Sequence, residues 1–482
     1  MIQKIDEIHG AFDRREITAV QLTKKYLEAA RASRLNSFIT LCEERALGQA
    51  RAADEKIASH GRVPRDSHPL LGIPLGIKDI FTIEGVRTTC ASKMLDNYVP
   101  PYTATLVERL EAKGAVTLGK TNMDEFAMGG SNENSAYGNV LHPTHPDRVP
   151  GGSSGGSAAA VGGGLCVASI GTDTGGSIRL PAHYCGLVGL KPTYGSVSRY
   201  GMVAFASSLD QAGPMTTSVR DAAILFDAMN GHDPRDSTSA NVPPSAKTAA
   251  ALTEEIDWKN LKIGVPAEYF VEGLAPEVEA SVRAALQWFE SKGAKLVPVS
   301  LPHTRYSVAV YYIVAVSEAS SNLARIDGVR FGVRPPGARE ATDLADFYRK
   351  ARALFGPEVK RRIILGTFTL SSGYADAYFR RACQVRRLIR QDFDEAFTKV
   401  DLIAGPVSPT TAFRFGEKSD PLQMYLNDIL TIPANLAGLP ALSMPCGQDG
   451  AGLPIGLHLI APPFAEAALL QAANAFEQGR RA

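Results

Sequence analysis

The sequence predicts an α/β protein in which one large mixed sheet is covered by helices, forming a single domain over residues 1–482. Three observations carry this reading. Short apolar, β-branched runs recur between amphipathic helical stretches along most of the chain, the alternation that builds α/β layers. The strand pattern resumes after residues 241–250, an Ala/Pro/Ser-rich stretch that is the best linker candidate, so this stretch joins two parts of one sheet rather than two domains. A 482-residue chain that is 45% hydrophobic carries enough apolar side chains for a core of that size.

In chain order, residues 1–61 read as an N-terminal helical segment. Ile5, Ile8 and Phe12 mark one face, while Val20, Leu22, Tyr26 and Leu27 recur at helical spacing; Thr18 suits an N-cap and Gly61 a stop. Leu70-Leu-Gly-Ile-Pro-Leu-Gly-Ile-Lys78-Asp-Ile-Phe81 reads as a buried strand ending in charge. Residues 105–113 read as a helix, 115–118 as a strand and 122–150 as loop. A helix of small residues (157–163) and a buried strand (165–170) lead into Gly171-Thr-Asp-Thr-Gly-Gly-Ser177. Further strands are expected at 188–190, 263–265, 296–299, 402–404, 441–444 and 455–460. From about 306 to 400 strands vanish and the pattern is helical, a layer or insertion beside the sheet. The chain shows no short repeat or low-complexity tail.

Composition excludes several classes. Lys plus Arg (51) nearly cancels Asp plus Glu (50), so no global basic field gathers nucleic acid. The opening Met1-Ile-Gln-Lys-Ile-Asp-Glu has acids where a signal peptide needs a basic end and an apolar run. The longest apolar stretches are too short or too broken by Gly and Pro to span a bilayer, and a cytoplasmic protein is expected. Cys42, Cys90, Cys166, Cys185, Cys383 and Cys446 form no Cys-x-x-Cys pair, which argues against a disulfide scaffold and a structural zinc site.

The chemistry concentrates in residues 150–179. Two serine-bearing glycine turns, Gly151-Gly-Ser153-Ser-Gly-Gly-Ser157 and Asp173-Thr-Gly-Gly-Ser177-Ile-Arg179, flank a small apolar run. Glycine lets a backbone approach a ligand and turn its N–H groups toward one oxygen atom. A hydroxyl ending such a turn can be a nucleophile beside an oxyanion site. Each residue also has a plainer reading: Ser177 as a helix N-cap, Ser153 and Ser154 as a solvated turn, Lys78 as a strand-end lysine reaching water rather than a desolvated base. Gly151-Gly-Ser153-Ser-Gly155 fits the short nucleophile-elbow pattern, which calls for a histidine, but His183, His232, His303 and His458 sit in no acid–histidine context. No Lys-Ser/Thr pair follows the glycines as a phosphate loop requires, no serine is followed three residues on by lysine, and His142 and His145 lie in a Pro-flanked loop unsuited to a metal.

Taken together, Lys78, Gly152-Ser153-Ser-Gly-Gly-Ser and Asp173-Thr-Gly-Gly-Ser177-Ile-Arg179 resemble the amidase signature family, and the likeness runs from Leu71-Gly-Ile-Pro-Leu-Gly-Ile-Lys78-Asp to Gly452-Leu-Pro-Ile-Gly-Leu. Carried over residue by residue, the resemblance implies a single α/β/α domain with Ser177 as nucleophile, Ser153 as a bridging serine after a cis peptide, and Lys78 as base. It implies an oxyanion site on the N–H groups of Thr174, Gly175, Gly176 and Ser177.

A narrower likeness lies in Met123-Asp-Glu-Phe-Ala-Met-Gly-Gly-Ser131-Asn-Glu-Asn-Ser, Lys191-Pro-Thr-Tyr-Gly-Ser-Val-Ser-Arg-Tyr-Gly, Ala206-Ser-Ser-Leu-Asp-Gln, Ser317-Glu-Ala-Ser-Ser-Asn-Leu-Ala-Arg325 and Leu365-Gly-Thr-Phe. These segments resemble the A subunits of bacterial aspartyl/glutamyl-tRNA amidotransferases. That implies a glutaminase supplying ammonia to a B subunit, which amidates tRNA-bound Glu or Asp with ATP and Mg2+, while a C subunit braces the pair. No metal or cofactor is expected on this chain, and charged tRNA is expected mainly on the B subunit. Glutamine recognition in such proteins uses an arginine, an acid and a tyrosine; the matching positions are Arg361, Asp428 and Tyr312, with Arg362 and Tyr311 one residue away, and Ser131 joins them as a substrate residue. The alternatives are a free-standing amidase of small or aryl amides, a non-catalytic scaffold, and a serine–histidine hydrolase acting through His458 or His183.

Overall fold

The computed structural model describes residues 3–242, 248–270, 272–418 and 420–481. Eleven strands join in one sheet: β1 Phe38–Leu41, β2 Pro74–Lys78, β3 Val116–Thr121, β4 Ala168–Asp173, β5 Val188–Lys191, β6 Gln211–Thr216, β7 Lys262–Pro266, β8 Lys295–Val299, β9 Leu402–Pro406, β10 Ala441–Gln448 and β11 Pro454–Ile460. Their order is β1-β3-β2-β4-β6-β5-β10-β11-β9-β7-β8. β2 runs parallel to β3 and β4, and β7 parallel to β8 and β9; the remaining pairs are antiparallel. The sheet is therefore mixed, as expected, and it draws strands from both sides of residues 241–250. Residues 243–247 of that linker candidate lie outside the described residues.

Burial explains the strand sequences. Every residue of β2, β3 and β4 is buried, as parallel strands covered on both faces require. The helix Gly155–Gly162 crosses between β3 and β4, and its small residues let it sit close: a Cβ at Gly156 would overlap the Asn122 carbonyl. Thr18 forms a reciprocal capping box with Gln21 at the start of helix Ala19–Ala32, and Gly61 ends helix Glu43–His60 in the left-handed region at φ 71°. Residues 306–400 hold only helices and turns, including Ser307–Asn322, Pro357–Leu370 and Arg381–Phe397.

Three expectations need correction. The N-terminal segment is not wholly helical, because β1 interrupts it and pairs antiparallel with β3. β4 begins three residues later than its apolar run and continues through Gly171-Thr172-Asp173, so Thr172 and Asp173 are strand residues held by β6 rather than parts of a turn. β6 itself, Gln-Ala-Gly-Pro-Met-Thr, gives no strand signal because an internal proline argues against a strand; here Pro214 pairs opposite Ile170.

Candidate active site

The parallel register of β2 and β4, with Ile77 beside Ile170, brings the last residue of β2 to the end of β4. Lys78 is completely enclosed. Its Nζ lies 2.9 Å from Ser153 Oγ, 2.8 Å from Ser154 Oγ and 2.7 Å from Thr172 Oγ1. No carboxylate is within hydrogen-bond reach of it among the described residues. Burial, the dominant cause, lowers its pKa to about 7, with the more distant Asp124, Asp173 and Asp210 opposing the shift. The snorkelling lysine and the solvated serine turn are thus both excluded, since Ser153 and Ser154 are also fully buried.

The two serines differ in what their hydroxyl hydrogens do. Ser154 Oγ donates to the Thr172 carbonyl (3.1 Å) and accepts the Thr172 N–H (3.2 Å), so toward Lys78 it acts only as an acceptor. Ser153 Oγ has Lys78 as its hydrogen-bond partner among the described residues. The Gly152–Ser153 peptide is cis, and its glycine is required for space: a Cβ at Gly152 would overlap the Asp124 carboxylate.

The Ser177 turn leaves β4 under tight control. Asp173 receives Arg179 Nε (3.1 Å) and Nη2 (3.0 Å), Asn435 Nδ2 (2.8 Å), and the backbone N–H groups of Ile178 (3.1 Å) and Arg179 (3.3 Å). It therefore caps the short helix Arg179–Cys185, and Ser177, two residues before that helix, is not its N-cap. Against the cost of burial, the Arg179 guanidinium, with Lys191 and the Asn435 side-chain amide, holds the Asp173 carboxyl well below its ordinary range. Thr174 Oγ1 donates to Asp210 (2.8 Å), the Gly175 carbonyl accepts the Thr431 hydroxyl (2.7 Å), and Gly176 sits at φ 146°, where only glycine is comfortable. Among the described residues, no backbone N–H of Thr174, Gly175, Gly176 or Ser177 meets a protein acceptor. Ser177 itself is 7% exposed.

Beside this turn opens a cavity of about 300 Å³, lined in part by Ser131, Tyr312, Arg361, Arg362, Tyr425 and Asp428. All four sequence-derived substrate residues thus share one cavity. Asp428 abuts the Ser177 turn: a Cβ at Gly176 would lie 2.9 Å from its Oδ1. That oxygen and Ser131 Oγ are buried without a hydrogen-bond partner among the described residues, and burial raises the Asp428 carboxyl to about 8. Arg361 is half-exposed and pairs with Glu358. Arg362 is buried, donates to Glu358 at 2.8 Å, and packs over the rings of Phe205, Tyr312 and Tyr425. Tyr312 stacks on Tyr425 at 3.7 Å between centroids, whereas Tyr311 fills the space over Gly175. Glu358 and Tyr425, joined by a 3.0 Å hydrogen bond, had no signal in the sequence, since an acid three residues before an arginine is an ordinary helical pair.

The histidine alternative finds no geometry. His183 accepts the Gly456 N–H (2.6 Å) and faces the Thr410 carbonyl; His458 accepts from Arg179 (2.9 Å). Among the described residues neither forms a hydrogen bond with a serine hydroxyl. Among the described residues no group of three His, Cys, Asp or Glu side chains is arranged to hold a metal ion, and no helix is long and apolar enough to cross a membrane.

Comparison with known proteins agrees with this architecture. The family model described as Amidase matches residues 21–470. The chain is 54% identical to the A subunit of glutamyl-tRNA(Gln) amidotransferase from Geobacter metallireducens, over 98% of this chain and 96% of that one. Among solved structures, the A subunit of glutamyl-tRNA(Gln) amidotransferase from Thermotoga maritima superposes with a TM-score of 0.79 at 42% identity, covering 95% of this chain and 91% of that one. The native peptide amidase of Stenotrophomonas maltophilia gives 0.80 at 31% identity, covering 99% and 97%.

Proposed function

We propose that this chain, which belongs to the amidase family, is the glutamine-hydrolysing A subunit of a glutamyl-tRNA(Gln) amidotransferase. One observation carries the mechanism: a wholly enclosed Lys78 amine 2.9 Å from Ser153 Oγ with no carboxylate partner among the described residues. An amine whose pKa falls to about 7 is substantially neutral near neutral pH, and it then has two N–H donors and one lone pair. Ser154 requires a donor, so the lone pair is available to the Ser153 hydroxyl. Lys78 takes the Ser153 proton as Ser153 takes that of Ser177, and Ser177 Oγ bonds to the carboxamide carbon. The N–H groups of Thr174, Gly175, Gly176 and Ser177 receive the oxyanion. The proton returns through Ser153 to the amide nitrogen, ammonia leaves, and water hydrolyses the ester to free Ser177 and the acid.

The cavity favours an amino-acid amide. Its walls carry Arg361, Arg362 and Lys418 against Glu133, Glu358 and Asp428, a charge set that suits a zwitterion. We assign the ligand α-ammonium to Asp428, its α-carboxylate to Arg361 with Tyr312 beside it, and a hydrogen bond to Ser131. The identity with curated relatives of that name supports the wider reading. Ammonia passes to a B subunit that amidates tRNA-bound Glu or Asp, using ATP and Mg2+ there; charged tRNA and a C subunit complete a cytoplasmic assembly. The likeness to a peptide amidase favours the second reading, a free-standing amidase, which predicts full activity of this chain alone.

The test is Ser177→Ala in the assembled complex. Glutamine-driven amidation of tRNA is expected to fall by at least about three orders of magnitude, while amidation driven by added ammonia persists. Loss of both activities overturns the division of labour.

A further inference from the structure

The geometry points to Glu125 as a positioning residue for substrate binding, tying the helix that carries Arg361 to the wall that carries Ser131 and the serine turn. The substrate named here rests on the proposed function; the tie does not.

Glu125 and its neighbour Asp124 are both buried and point their carboxylates at different walls of the cavity. Asp124 Oδ2 accepts the Asn132 N–H (2.9 Å) and Oδ1 that of Asn134 (3.1 Å), fixing the backbone around Ser131. The Asp124 N–H in turn donates to the Ser153 carbonyl at 3.1 Å. Glu125 reaches the other way: its Oε2 accepts the Gly356 N–H at 2.8 Å, and its Oε1 accepts the Ser92 hydroxyl. Gly356 immediately precedes helix Pro357–Leu370, whose first turns present Glu358, Arg361 and Arg362 to the cavity. Pro357 has no N–H of its own, so Gly356 offers the amide at the helix entrance. A Cβ there would overlap Glu125 Oε2, so a larger residue must displace that carboxylate.

The backbone around the pair is held against its own preference. Phe126 (φ 49°) and Ala127 (φ 61°) follow Glu125 in left-handed conformations, and Cys90 (φ 51°) and Ala91 (φ 55°) do so in the facing loop, to which the Phe126 N–H donates at 2.9 Å. Such strained residues persist only where their surroundings over-determine them. A carboxylate that bonds both Ser92 and Gly356 supplies that determination and fixes how far Arg361 stands from Asp428.

The assembled enzyme with Glu125→Ala is expected to show a glutamine KM raised about tenfold or more with kcat within about threefold, whereas Glu125→Gln, which keeps an acceptor for Gly356 and a donor for Ser92, restores KM to within about threefold. Gly356→Ala is expected to raise KM similarly by displacing the carboxylate, and the double variant to be no worse than either single one, because the overlap has gone. Additive effects, or an equal fall in kcat, overturn the assignment. Amide exchange at Gly356 reads the tie independently of substrate. It is expected to be slow in the wild type and fast in Glu125→Ala even if glutamine proves not to be hydrolysed, and equal rates overturn the tie itself.

Discussion

Lys78 and Lys120 stand on neighbouring parallel strands, and both are completely enclosed. The register pairs Ile77 with Lys120 and Lys78 with Thr121, so the two lysines project from opposite faces of the sheet. On one face Lys120 meets the Asp79 carboxylate at 2.8 Å and Thr88 Oγ1 at 2.8 Å. On the other, Lys78 meets three hydroxyls and, among the described residues, no carboxylate. Burial is the same; the partner differs. A carboxylate partner ties a buried lysine into an ion pair that braces the strand end, and hydroxyls alone leave it an amine able to lose its proton.

The widest separation of the two comes from removing each in turn. Lys78→Met is expected to lower glutamine hydrolysis by about three orders of magnitude or more while stability falls by less than in Lys120→Met, since hydrogen bonds to three hydroxyls are lost but no buried carboxylate is stranded. Lys120→Met strands the buried Asp79 carboxylate and is expected to cost about 3–5 kcal/mol of stability, read from denaturant unfolding, with activity falling only as the folded fraction falls. An unstable Lys78 variant with an intact Lys120 one would reverse the assignment of base and brace.

A gentler way to break the contrast is to give Lys78 the partner that Lys120 has. Thr172→Asp places a carboxylate on the hydroxyl that now lies 2.7 Å from Nζ, and a carboxylate there raises a lysine pKa by about 1–3 units. On the proposed mechanism the neutral amine is the working form, so in the wild type kcat is expected to rise with pH through about 7, to which burial lowers the Lys78 pKa, and then level off. In Thr172→Asp the rise is expected to move upward in pH, leaving kcat at pH 7 about 10- to 100-fold lower and recovering it under alkaline conditions. Measuring kcat at saturating glutamine keeps Asp428, on the proposed assignment, paired with the ligand ammonium and out of the profile. An unmoved rise sinks Lys78 as the base.

These contrasts also show what the sequence could and could not express. β2 was legible because Leu70–Phe81 is apolar apart from its charged end, and the two serine turns were legible because glycine clusters are rare without a backbone reason. The helical layer of residues 306–400 was legible from its period. β1 was lost because four half-buried residues between long helices leave no alternation to read, and β6 because its proline argues against a strand. Within the site, Lys78 stood out as a charge in an apolar run, but its partner Thr172 did not, since a threonine before Asp173 looks like turn chemistry until β4 is seen to continue through it. Asp173, Asp210 and Glu125 lie inside the quoted motifs, but their structural roles were silent for a different reason. Their work is to hold backbone N–H groups and hydroxyls brought together by the fold, and no local spacing records such contacts. Arg361 and Arg362 are adjacent in sequence yet one is half-exposed and the other enclosed among Phe205, Tyr312 and Tyr425, a distinction that helical phase alone leaves open.

Lys191 sharpens the comparison from a third side with the smallest expected effect. It too is enclosed, and burial, assisted by Arg179, lowers its pKa to about 7, the same value as Lys78. Its Nζ, however, donates to the Pro192 carbonyl (2.9 Å) and to Gln211 Oε1 (3.2 Å), acceptors that have no proton to give. A lowered pKa therefore does not make a base without a hydroxyl beside it. Lys191→Met is expected to leave kcat within about threefold, to leave its rise with pH where Lys78 sets it, and to cost about 1 kcal/mol for the two lost hydrogen bonds, read from the same pH series and denaturant unfolding. A displaced rise in that variant would show that Lys191, not Lys78, is the group whose proton the reaction moves.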